Sequence, residues 1–201
     1  MKSSLLLLIL GIPTLLPLSG CGPEANEPDP FNSEMKTLEI TDNGAWCWFQ
    51  DPRAVTVHGD HHKTYAQWMT REGRLKVASY DHASGEIETH VLEEDWDIDD
   101  HNVGAFLVLP DNRLMVFYAR HNGTGLFCRT TLRPESITAW SDPLTVSGTD
   151  RITYAHPVFL SEEGRYYVFW RGPTWKPTFS TSEDGVHWSE PRVLVQEPGR
   201  E

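Results

Sequence analysis

The fold is decided where Ala105-Phe-Leu-Val-Leu109, Leu114-Met-Val-Phe-Tyr118 and Leu126-Phe-Cys-Arg-Thr130 follow one another. Each run is short and rich in β-branched and aromatic residues, and Pro110-Asp-Asn-Arg113 separates the first two as a turn cluster. The same succession occurs upstream, in Lys63–Thr70, Leu75–Tyr80 and His90–Leu92, around the turn Arg71-Glu-Gly-Arg74. It occurs again downstream, in His156–Leu160, Tyr166–Trp170, Thr178–Ser180 and Arg192–Val195, around Ser161-Glu-Glu-Gly164. The matching points Ala54, Ala105 and Pro157 are spaced 51 and 52 residues apart. A repeat of that length with room for four short strands is the signature of a β-propeller blade, and no helical periodicity competes with it. The sequence therefore predicts an all-β chain, a β-propeller of four-stranded blades at about 53–95, 101–147 and 153–196.

Composition agrees with this reading and limits the partners. Eight Trp, eight Phe and six Tyr among 201 residues, with 15 Gly and 14 Pro, make an aromatic, turn-rich chain. Hydrophobic residues at 39% and charged residues at 23% are ordinary for a folded domain. Seventeen Lys and Arg against 29 Asp and Glu give a net charge of −12. Nucleic acid and anionic membrane surfaces need a basic footprint, so neither is expected as a partner. An anionic substrate held by a few local arginines remains compatible. Three blades do not close a ring, since propellers carry about four to eight. The expectation is an N-terminal part of a longer propeller whose remaining blades lie beyond this chain, with assembly of several copies as the alternative.

The first twenty residues read as an address. Met1-Lys2 is a basic start, Leu5–Leu10 is uninterrupted apolar sequence, and Leu18-Ser-Gly-Cys21 closes the segment. That ending resembles the bacterial lipobox. It implies a lipoprotein signal peptide over 1–20, lipidation of Cys21, and a bacterial cell-envelope location with membrane contact through the lipid anchor alone. An ordinary secretory signal is the alternative. Residues 21–45 begin with a Pro-rich polar tether, and 46–201 form the partial propeller. The other two cysteines, Cys47 and Cys128, have no zinc-binding spacing and read as buried thiols.

Ser182-Glu-Asp-Gly-Val-His-Trp188 resembles a shortened Asp-box, the hairpin of sialidase-like and related propellers. In that reading Asp184 and Gly185 make the turn, Ser182 bonds its backbone, Trp188 packs beneath, and all four are structural. The polar clusters at blade edges are more informative. Trp48-Phe-Gln-Asp-Pro-Arg53, Asp99-Asp-His-Asn102, Phe117-Tyr-Ala-Arg-His-Asn122, Thr153-Tyr154 and Phe169-Trp-Arg-Gly172 together resemble the BNR-4 repeat family. That family includes the seven-bladed ulvan lyases of polysaccharide lyase families 24 and 25, so three blades of seven are implied here. The resemblance also implies β-elimination on a sulfated, uronate-containing polysaccharide. Such chemistry needs a base for the proton alpha to the carboxylate, a cation for the enolate, and an acid for the leaving oxygen.

Carried over by motif, His101, His121, Tyr154 and Arg171 are the implied catalytic residues, with Arg171 facing the uronate carboxylate. Which of His101, His121 and Tyr154 takes the proton stays open. Asn102 and Asn122 are implied donors to substrate. Arg53, a further candidate substrate contact, reads first as the ion-pair partner of Asp51. His156 falls where family members carry Asn and, if the strand is regular, points to the side of Tyr154. It reads as structural. Trp46 and Trp48 suit a sugar-stacking platform or blade packing equally. Asp99-Asp100 lacks further spaced ligands, so no cofactor and no metal at this pair is predicted, and a structural metal ion is the alternative left open. His61-His62 reads as an exposed loop.

A polysaccharide lyase is the leading expectation. One alternative is a non-catalytic glycan-binding propeller lipoprotein. Another is a sialidase-like hydrolase, for which Arg53, Arg120 and Arg171 match the number of a three-arginine cluster.

Overall fold

The computed structural model describes residues 37–45 and 47–196. The expected signal peptide, Cys21, most of the tether and Trp46 lie outside the described residues. Three four-stranded antiparallel sheets make up the described chain. The first comprises β1 (Ala54–His58), β2 (His62–Met69), β3 (Leu75–Asp81) and β4 (Ile87–Glu93). The second comprises β5 (Ala105–Val108), β6 (Leu114–Tyr118), β7 (Leu126–Thr130) and β8 (Leu144–Ser147). The third comprises β9 (Thr153–Leu160), β10 (Arg165–Arg171), β11 (Pro177–Ser182) and β12 (Arg192–Val193). In each sheet the strands follow chain order, as blades do.

The second sheet is covered on both faces. Along β6, Leu114, Val116 and Tyr118 enter one apolar cluster with Tyr65, Met69, Leu75 and Val77 of the first sheet. Met115 and Phe117 enter another with Ala155, Val168 and Trp170 of the third. Successive side chains of a strand point to opposite faces, so a strand between two sheets must be apolar throughout. This is why Leu-Met-Val-Phe-Tyr is a continuous run and every residue in it is buried.

Polar clasps fix how neighbouring blades meet. The buried Gln67 carboxamide on β2 accepts from the Gly104 amide at 2.7 Å and donates back to the Gly104 carbonyl. A side chain at Gly104 would collide with Val116, so that close approach needs glycine. Tyr118 donates to Glu93 Oε1 at 2.6 Å. Glu135, on the loop between β7 and β8, reaches back to the β1–β2 turn. There its carboxylate accepts from the amides of Asp60 (2.8 Å) and His61 (2.7 Å) and from Asn112 Nδ2 (3.2 Å).

The Ser182–Trp188 segment is a tight turn held by its own side chains. Ser182 Oγ accepts from the Gly185 amide, and Asp184 Oδ1 accepts from the amides of Val186 and His187. Gly185 has φ of +74°, and Trp188 packs edge-on against Phe117. Cys47 and Cys128 are buried free thiols.

Two local expectations are corrected. His62 is exposed but opens β2, where its ring stacks between His58 (4.1 Å) and His82 (4.0 Å). His156 does not share a side with Tyr154. The ladder between β9 and β10 is irregular near Arg171, and Tyr154 has a left-handed φ of +64°, which breaks the alternation. His156 pairs across the ladder with Phe169, on the sheet face that stacks with Phe179.

Glu135 is 6% exposed, and truncating it strands three donors around a buried gap. Glu135→Ala is expected to destabilise the chain by about 2 kcal/mol or more in urea titrations, with Glu135→Gln losing less. An unchanged midpoint would show that the clasp contributes nothing.

Candidate active site

At one end of the stacked blades, four chain segments converge. They are the loop before β5, the loop after β6, the start of β9 and the end of β10. The first carries a single 3-10 turn, Asp100–Asn102, capped by Asp99, whose Oδ1 accepts from the His101 amide at 2.9 Å. The same carboxylate binds two imidazoles: His101 Nδ1 lies 2.6 Å from Oδ1 and His121 Nδ1 lies 2.9 Å from Oδ2. Asp100 Oδ1 also lies 2.8 Å from His101 Nδ1. The two rings stack with centroids 4.1 Å apart and planes 10° apart.

Partial burial pushes the Asp99 carboxyl up. Hydrogen bonds from the His101 amide and from the His121 and His101 rings outweigh this and hold it at about 2. Asp99 is thus ionised at neutral pH. In a neutral ring, an ionised carboxylate facing Nδ1 selects the tautomer with Nδ1–H toward it, so that Nε2 is the nitrogen that accepts a proton.

Asn102, expected to contact substrate, is instead fully buried. Its Oδ1 accepts from the His121 amide at 2.6 Å and its Nδ2 donates to the Trp96 carbonyl. It sets the backbone beneath His121. Asn122 is exposed in a left-handed conformation with φ of +54°.

Arg171 ends β10 opposite Thr153. Its Nη2 donates to Asn122 Oδ1 (2.8 Å) and to Thr153 Oγ1 (2.9 Å). The guanidinium also lies 4.8 Å from the Tyr154 ring and 4.2 Å from the Trp175 ring. Among the described residues no carboxylate forms an ion pair with it. A cation so held, with neutral acceptors alone, is built to receive an anion.

Tyr154 is the hub. Its ring meets Phe49 at 5.3 Å, His101 at 5.7 Å and the Arg171 guanidinium. Burial raises its phenol above the ordinary value and outweighs the nearby Arg171 charge, so the hydroxyl is protonated at neutral pH.

The other arginines are elsewhere. Arg53 donates to the Cys47 carbonyl and pairs with Asp51 at 3.2 Å, lining a hollow with Ile40, Ala66 and Trp68. Arg120 donates to the Asp95 carbonyl and lies over Trp96. The three arginines have separate partners and form no cluster. Asp99, His101 and His121 have ligand atoms within 4.8 Å of one another and could hold a metal ion. In the observed geometry, however, both Nδ1 atoms are engaged by the Asp99 carboxylate. Sequence reasoning missed three members of the site: Asp99 as the shared anchor, Thr153 beneath Arg171, and Trp175 beside it.

The chain belongs to the family of BNR repeat-containing proteins, which matches residues 63–185, more than half its length. Its fold is similar to that of a PL25 ulvan lyase bound to -[GlcA(1-4)Rha3S]-, with a TM-score of 0.62 at 19% identity. A second structure of a PL25 ulvan lyase gives a TM-score of 0.62 at 20% identity. In both, 80% of this chain aligns with 42% of the other, so the chain spans less than half the length of these proteins. At such identities the likeness establishes the fold: the three sheets are β-propeller blades. No curated protein matches the chain.

The depressed carboxyl of Asp99 fixes a sign. Its contribution to stability is complete above an unfolded-state value of about 4. It is lost as pH falls toward about 2. Urea midpoints measured between these limits should drop more steeply for the parent chain than for Asp99→Asn. Parallel curves would contradict the double hydrogen bond.

Proposed function

We propose that the protein is a polysaccharide lyase that cleaves a uronate-containing, ulvan-like glycan by β-elimination. The observation that carries this reading is Arg171, a guanidinium without a carboxylate partner among the described residues, set beside an imidazole pair and a protonated tyrosine. In the reaction, the uronate carboxylate docks on Arg171, which also stabilises the enolate as charge develops. Nε2 of His101 or His121 takes the proton from C5, and Asp99 steadies the imidazolium that results. The C4–O bond breaks, its electron pair leaves with the oxygen, and the Tyr154 hydroxyl protonates that oxygen. A C4=C5 double bond forms. The raised phenol favours Tyr154 as acid over Tyr154 as base.

The remaining blades of a seven-bladed ring, an envelope location and a lipid anchor at Cys21 belong to the same proposal. They rest on the repeat length and on residues 1–21. A second reading, glycan binding without catalysis, is favoured by the exposed Trp48 and Trp175 and is separated from the first by product formation.

Incubation with ulvan should raise the ultraviolet absorbance of unsaturated sugar ends. His121→Ala, Tyr154→Phe and Arg171→Ala should each slow this by about a hundredfold or more. Full activity in all three variants would overturn the assignment.

A further inference from the structure

Among the described residues, five tryptophans, at 68, 96, 140, 170 and 188, are buried or half-buried. Two are not: Trp48 is 70% exposed and Trp175 is 65% exposed. Large apolar rings left in water are informative where they flank a polar site. Both flank this one. Trp48 meets Phe49 edge-on at 6.0 Å, and Phe49, itself 53% exposed, meets Tyr154 at 5.3 Å. From Tyr154 the chain of contacts continues to Arg171 and from Arg171 to Trp175. The reacting groups thus lie in the middle of a line whose two ends are exposed indoles.

Trp175 is also held at a backbone cost. Thr174 and Trp175 have φ of +54° and +63°, in the left-handed region that side-chain-bearing residues rarely adopt. The strained turn leaves the indole against Arg171 on one side while most of its surface stays open. A pyranose ring has an apolar face of C–H groups that fits a flat indole, while its hydroxyls stay in water.

We propose that Trp48 and Trp175 are stacking platforms for the sugars on the two sides of the reacting uronate, so that the site takes an internal segment of polymer. This rests on the uronate reading of Arg171. A chain longer than a disaccharide is needed to extend along this line of contacts to both ends.

The test uses the full chain carrying His121→Ala, in which turnover is slowed about a hundredfold, and measures affinity for ulvan oligosaccharides of about two and about eight sugars by calorimetry. Adding Trp48→Ala or Trp175→Ala should weaken the longer ligand about tenfold each and leave the shorter one nearly unchanged. Unchanged thermal melting separates this from a folding defect. Equal loss at both lengths, or none at either, overturns the platforms. Adding Arg171→Ala should weaken both lengths. If it weakens neither while the tryptophan variants behave as expected, the uronate reading fails and the platforms stand.

Discussion

The strand Leu114–Tyr118 has no solvent face, and the placement of everything else follows from that. Leu114, Val116 and Tyr118 meet the first sheet while Met115 and Phe117 meet the third, so the register of one strand fixes both neighbouring sheets. A slip by one residue would exchange the two faces and mismatch both interfaces. With the middle blade pinned, the loop before β5 and the loop after β6 lie at the same end as the start of β9. Asp99, His101, His121 and Tyr154 meet there, and the Asp99–His121 and His101–Tyr154 contacts close the site.

Within the site, one carboxylate and one guanidinium divide the electrostatic work. Asp99 orients two bases by taking an Nδ1–H from each, and its own ionisation is secured by those same donors. Arg171 is kept rigid by Asn122, Thr153 and two aromatic rings, none of which neutralises it. In the proposed reaction, the group that orients the bases and the cation that meets the anion are thus separate side chains.

The blades were legible because their signals are local. Runs such as Lys63–Thr70 and turns such as Ser161-Glu-Glu-Gly164 state a strand and its end within a few residues, and β2 and the turn from β9 to β10 form there. The grouping of His101, His121, Tyr154 and Arg171 was legible through motif resemblance, not through spacing. What escaped depends on backbone irregularity or distance. The bulge at Tyr154 turned His156 to another face. The left-handed pair Thr174–Trp175 placed an indole beside Arg171. Glu135 clasps a turn 75 residues away. Asp99 read as half of an acidic doublet without further spaced ligands because nothing in its neighbourhood announces that two histidines 20 residues apart will share it.

The most direct test is a crystal structure of the full chain with His121→Ala bound to a uronate oligosaccharide. The account predicts the uronate carboxylate against the Arg171 guanidinium, C5 facing the position of the imidazole pair, and the Tyr154 hydroxyl within hydrogen-bond reach of the glycosidic oxygen. A sugar bound with its carboxylate in solvent, or on another face of the blades, would contradict it.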